Sequence, residues 1–126
     1  ACLYESAKAG DGQLHSIEGD PVTIMAGLNC GTPCSITWPV IRDRAGFYIS
    51  CMDEVSENAM RRLAGSSSEQ ERIISGESGA VTFGALMEIC KDEQIRTLMG
   101  VDRDSVILLI STEGDTDPEG YRRIVG

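Results

Sequence analysis

The hydrophobic and polar positions along this chain alternate between helical and strand-like spacing. Leu3 to Lys8 has helical character and stops at Ala9-Gly10-Asp11-Gly12. Pro21 to Cys30 reads as a short apolar helix closed by Gly31-Thr32-Pro33, and Trp38 to Arg44 as another, with Pro39 at its start. Phe47-Tyr48-Ile49-Ser50 is aromatic and β-branched and predicts a strand. Asp53 offers an N-cap to a helix whose Val55, Ala59 and Leu63 recur at helical spacing on one face. A polar, serine-rich linker from Ala64 to Glu71 leads to a short predicted strand, Arg72-Ile73-Ile74-Ser75, and to the turn Gly76-Glu77-Ser78-Gly79. A helix is predicted from Ala80 to Lys91 with Leu86, Met87 and Cys90 inward, and a shorter one from Asp92 to Met99. Ser105 to Ser111 contains Val106-Ile107-Leu108-Leu109-Ile110, apolar without alternation, the pattern of a central parallel strand covered on both faces. Asp117-Pro118 caps a last helix carrying Tyr121 and Ile124.

Helices interleaved with strands predict an α/β fold with a mostly parallel sheet. In such sheets ligands bind beyond the carboxyl ends of the strands. Two of those ends, Ser75 to Ala80 and Ser111 to Asp117, are rich in glycine and small hydroxyl residues, which let backbone and hydroxyl groups approach a ligand closely.

Charge and composition narrow the function. The 126 residues hold 11 basic and 20 acidic side chains, a formal net charge of −9, which argues against a nucleic-acid partner. Val106 to Ile110 is the longest apolar run, far short of the ~20 residues that cross a bilayer, so no membrane partner is expected. Length and a 41% hydrophobic content fit one domain. The first residues, Ala1-Cys2-Leu3-Tyr4, include no initiator methionine and no basic, apolar leader, so the sequence reads as a processed chain or a piece of a longer one. Five cysteines, with Cys30 and Cys34 three residues apart rather than two, do not form a redox motif, and His15 is the only histidine. Reduced, mostly buried thiols in a cytoplasmic protein are expected, and no metal site.

Several motifs have plainer readings. Gly76-Glu77-Ser78-Gly79-Ala80 lies between strand and helix like a hydrolase nucleophile elbow. It ends in alanine rather than glycine, and no histidine follows Ser78 to act as base, so a tight turn packing a helix is the better reading. Asp115, Asp117 and Glu119 imitate the start of a calcium loop, but its twelfth position is Gly126, and helix capping accounts for Asp117. His15 reads as a solvated residue, Lys8 and Lys91 as surface lysines at helix ends, and Cys34 and Cys51 lack a basic neighbour that would activate them.

A family resemblance goes further than these arguments. Thr23-Ile24-Met25-Ala26-Gly27-Leu28 resembles a helix of pyridoxal-phosphate enzymes of the tryptophan-synthase-β class (fold type II). Cys2-Leu3-Tyr4-Glu5-Ser6, Thr37-Trp38-Pro39-Val40-Ile41-Arg42-Asp43 and the Phe47 to Ser50 segment before Asp53-Glu54-Val55 stand in the order found in serine-racemase-like members. Together with Ile74-Ser75-Gly76-Glu77-Ser78-Gly79-Ala80-Val81 and Leu109-Ile110-Ser111-Thr112-Glu113-Gly114-Asp115-Thr116-Asp117-Pro118, they resemble the diaminopropionate ammonia-lyase family along the whole chain.

The resemblance implies the C-terminal portion of the large, cofactor-binding domain, part of a three-layer αβα architecture. The Schiff-base lysine, the glycine-rich phosphate loop, the catalytic acid and base and the small domain would all lie upstream. Neither Lys8 nor Lys91 stands in the matching context. The implied activity of the full-length protein is α,β-elimination of 2,3-diaminopropionate, an amino-acid substrate, to pyruvate and two ammonia. This portion alone would be inactive, because covalent catalysis needs the lysine. Ser111 matches the serine that hydrogen-bonds the cofactor's pyridine nitrogen, with Thr112 beside it as the alternative. Gly76 and Glu77 match the turn facing the cofactor ring. A hydroxyl at Ser111 can donate to a neutral pyridine nitrogen but cannot hold a pyridinium as a buried carboxylate does, which agrees with β-elimination. Relatives of this fold are dimers, and a truncated sheet leaves an open edge, so a homodimer is expected. The alternative is a stand-alone α/β binding or regulatory module without catalysis.

Overall fold

The computed structural model describes residues 1–19, 22–65 and 68–126. It divides into two compact units, Ala1–Ser50 and Cys51–Gly126.

In the first unit, α1 (Cys2–Ala9) ends where Gly10 turns left-handed at φ 68°, its N–H donating to the Ala7 carbonyl. The buried Ser6 hydroxyl donates to Cys2 O at 2.8 Å and accepts the His15 N–H at 2.8 Å, so one side chain stitches the glycine-rich loop to the helix. The predicted helix from Pro21 to Cys30 is not formed: Pro21 lies outside the described residues, and only a single 3₁₀ turn, Ala26–Leu28, is helical. Val22, Thr23 and Ile24 are β-branched, Gly27 weakens a helix interior, and Thr23 Oγ1 takes the Met25 N–H at 3.1 Å in place of a helical partner. Helix α2 (Trp38–Arg44) forms with the predicted bounds and proline in its first turn. Its Trp38 is buried, donates from Nε1 to Gly12 O at 2.9 Å, and meets Tyr48 with ring centroids 6.3 Å apart.

The second unit is built on α3 (Asp53–Ala64) and α4 (Glu77–Lys91). Asp53 is the first helical residue of α3 rather than its cap. Extended Met52 takes the cap position, and the Asp53 carboxylate complements the helix dipole from within the first turn. Small residues set the contact. Ser56 and Ala59 of α3 and Ala80 and Gly84 of α4 are all buried, and a Cβ at Gly84 would run into the carbonyl of Val55. Met60 is fully buried there, worth about 1.5–3 kcal/mol of transfer free energy. The inward face of α4 is therefore Val81, Gly84 and Ile89. Leu86 and Met87 are half-buried and Cys90 is exposed, contrary to the pattern reading. Helix α5 (Glu93–Met99) starts at Asp92, whose carboxylate takes the N–H groups of Gln94 and Ile95, and ends at left-handed Gly100. Helix α6 (Pro118–Val125) is capped by Asp117 as expected and rests on α3 through Ile124, whose carbonyl accepts from Arg61 Nε at 2.9 Å.

Among the described residues no β-strand forms, so the expected parallel sheet is not seen. Phe47–Ser50, Arg72–Ser75 and Ser105–Ser111 carry no ladder. A ladder needs a neighbour about 4.8 Å away along the hydrogen-bonding direction. Their apolar side chains stay open: Val106 is 100% and Leu108 85% exposed. The thiols also depart from expectation. Cys2 is buried and Cys51 half-buried, while Cys30, Cys34 and Cys90 are exposed, and all five are free.

Candidate functional site

The two glycine- and hydroxyl-rich segments singled out in the sequence meet in the second unit. Ser75 and Gly76 enter α4, which begins at Glu77, three residues before the predicted start. The earlier start has a tertiary cause. The carboxylate of Glu113, far along the chain, accepts the Ser78 N–H at 2.6 Å and caps the first turn from outside. The carbonyl of the same Glu113 accepts the Gly76 N–H at 3.3 Å.

Ser111 sits on this junction. Its Oγ lies 2.8 Å from Ser75 Oγ and donates to Glu113 O at 3.2 Å. Two glycines make the approach possible. A Cβ on Gly79 would lie 2.7 Å from both serine oxygens, and a Cβ on Gly76 would strike the carbonyl of Gly114. Ser75 is 1% exposed, whereas Ser111 is exposed and Thr112 follows it, also exposed. Ser111, whose motif resembles that of a ring-nitrogen partner, is thus an exposed residue hydrogen-bonded to a buried one.

Glu77 lies on another side of the same turn. Its residue is buried, its carbonyl accepts from the Ser56 hydroxyl, and its Oε1 lies 3.3 Å from where a Gly120 Cβ would stand, beside the start of α6. The Gly76 and Ser111 positions are brought together by Gly79 and Glu113, while the Glu77 carboxylate points to α6. Close by, burial and the charge of Asp115 push the Tyr121 phenol up, so it remains protonated at neutral pH.

Residue-type reasoning did not find Ser75 as a partner of Ser111 or Glu113 as the cap of α4. Both contacts join residues about 35 positions apart, and no local spacing encodes them. The plainer readings of other residues hold. His15 Nε2 pairs with Asp11 at 2.9 Å on an exposed loop, Lys8 lies 3.7 Å from Glu5, and Lys91 lies 2.6 Å from Glu88, both lysines exposed. Asp117 spends its carboxylate on the Gly120 N–H at 3.0 Å. Among the described residues no group of three or more His, Cys, Asp or Glu could hold a metal ion, and no helix is long and apolar enough to cross a membrane.

No family model matches the sequence. The chain is 44% identical over 127 residues to diaminopropionate ammonia-lyase of Escherichia coli (strain K12), covering 98% of this chain and 31% of that protein. A crystal structure of the Escherichia coli enzyme in complex with an aminoacrylate-PLP azomethine reaction intermediate superposes with a TM-score of 0.81 at 42% identity, over 98% of this chain and 31% of that one. The same enzyme in complex with D-serine gives 0.81 at 41% identity, over 98% of this chain and 30% of that one. The chain therefore spans about a third of the length of the relatives it matches. By sequence and by backbone alike, the chain is similar to diaminopropionate ammonia-lyase over that third.

Proposed function

We propose that this chain is the C-terminal portion of the large domain of a pyridoxal-phosphate-dependent ammonia-lyase that converts 2,3-diaminopropionate to pyruvate and two ammonia. The observation that carries the reading is the hydroxyl of the exposed residue Ser111, set by Ser75, Gly79 and Glu113, in a chain 44% identical to diaminopropionate ammonia-lyase.

The donor set fits the cofactor. The polar neighbours of Ser111 Oγ are a serine hydroxyl and a backbone carbonyl, both neutral, and the nearby Glu113 carboxylate is engaged by the Ser78 N–H. A neutral hydroxyl environment suits a neutral pyridine nitrogen, not a pyridinium. Pyridoxal phosphate, when bound, supplies the electron sink that makes the Cα proton of the amino acid removable. Ser111 would hold the ring nitrogen, with Thr112 as its neighbour. Gly76 would bring backbone close to the ring, and Glu77 would fix the turn on its α6 side. The Schiff-base lysine and the acid and base belong to other parts of the protein, in keeping with Lys8 and Lys91 being engaged at the surface.

The same reading accounts for the bare extended segments. In the full protein, Phe47–Ser50, Arg72–Ser75 and Ser105–Ser111 join a mostly parallel sheet whose other strands lie elsewhere in the polypeptide, within a cytoplasmic homodimer. The test is a turnover assay on the intact protein with 2,3-diaminopropionate, following pyruvate and ammonia. Release in a one-to-two ratio is expected, with kcat lowered about 5- to 100-fold in Ser111→Ala by loss of a buried hydrogen bond. Absence of elimination, or a coding sequence with no lysine-bearing region upstream of Ala1, would overturn the reading in favour of a stand-alone module.

A further inference from the structure

We infer that Ser75 is a positioning residue for the cofactor ring: its hydroxyl donates to Ser111 Oγ and so leaves the single Ser111 proton free to point outward at the ring nitrogen. The inference rests on the proposed role of Ser111.

A serine hydroxyl has one proton to give and two lone pairs to receive. Ser111 Oγ has two polar neighbours, the Glu113 carbonyl at 3.2 Å and Ser75 Oγ at 2.8 Å. A carbonyl only accepts, so Ser75 is the neighbour that can donate to Ser111. Ser75 is 1% exposed, and the acceptors in its reach are Ser111 Oγ at 2.8 Å and the carbonyl of the adjacent Gly76 at 3.4 Å. The shorter contact takes its proton. With that bond in place, Ser111 can release the long contact to Glu113 O at little cost, because that carbonyl keeps the Gly76 N–H at 3.3 Å. Accepting from Ser75 also polarises the Ser111 hydroxyl and strengthens the bond it donates. Gly79 makes the pair possible, since a Cβ there would lie 2.7 Å from both oxygens. Without the Ser75 hydroxyl, Ser111 would lose that polarisation and the contact that fixes its oxygen, and its bond to the ring nitrogen would weaken.

The test uses the intact holoenzyme loaded with cofactor isotopically labelled at the pyridine nitrogen. The nitrogen NMR resonance is read for wild type, S75A, S75C, S111A and S75A/S111A, with cofactor affinity and circular dichroism alongside. S75A should move the resonance in the same direction as S111A by a smaller amount and weaken cofactor binding about 5-fold. S75C, whose thiol is a weak donor, should fall between wild type and S75A. The double variant should match S111A alone, because Ser75 acts only through Ser111. An unmoved resonance in folded S75A, or effects of the two substitutions that simply add, would overturn the inference while leaving Ser111 in place. An unmoved resonance in S111A would overturn the role of Ser111 and this inference with it.

Discussion

Helix α4 and the segment Ser105–Ser111 are both rich in apolar residues, and they meet opposite fates. Helix α4 buries Val81, Gly84 and Ile89, whereas Val106 and Leu108 of the segment stand almost wholly in water. The difference lies in how each satisfies its backbone. A helix closes its hydrogen bonds internally, so α4 needs only one neighbour, α3, to cover one stripe. An extended segment closes none of its backbone hydrogen bonds internally, and as a central strand it needs neighbours on both edges and layers on both faces. Hydrophobicity marks both for burial, but burial is achieved only where the partner is close in the same chain.

Substitutions can break or sharpen that contrast. The largest effect is expected for Leu108→Lys in the intact protein. If the segment is an inner strand there, an unpaired buried charge should destabilise it by more than about 3 kcal/mol, read as a fall in the urea midpoint. A change within about 0.5 kcal/mol, as for a surface position, would mean that the segment stays as open as it is here. On the packed side, Gly84→Ala drives a methyl into the Val55 carbonyl and to 2.8 Å from Val55 Cγ1, and both belong to a helix that cannot yield cheaply. A loss of about 1–3 kcal/mol is expected in the same unfolding measurement, and a neutral result would show the α3–α4 contact to be looser than described.

The smallest effect leaves stability untouched and reads the open and covered surfaces through their thiols. N–H and hydroxyl groups of Thr37, with the Ile36 N–H, hold exposed Cys34 below the ordinary thiol value. Burial and then the charge of Glu88 push Cys51 up. The thiolate is the reactive form, so as pH rises alkylation should set in at Cys34 before Cys51, followed by peptide mass spectrometry. Simultaneous onset at both would contradict the two environments.

Local chemistry made much of this chain readable. Trp38–Arg44 with Pro39, the stop at Gly10 and the Asp117-Pro118 start are short-range rules, and each appears as read. The misreadings have longer-range causes. The helix expected from Pro21 to Cys30 gives way to a single 3₁₀ turn, and α4 begins three residues early because a distant carboxylate caps it. Ser111 was singled out because its motif resembles that of a known family. Its partner Ser75 was not, because hydroxyl pairing across 36 positions leaves no periodic trace.

The sequence by itself determined the stop of α1, the bounds of α2, the capped start of α6 and which segments are apolar, because these follow from side-chain chemistry within a turn or two. Only the tertiary structure decided which face of α4 is buried, what caps its first turn, and that Ser75 stands behind Ser111. Those outcomes depend on which groups remote in the chain come within hydrogen-bonding or van der Waals reach, and side-chain chemistry along the sequence does not carry that distance.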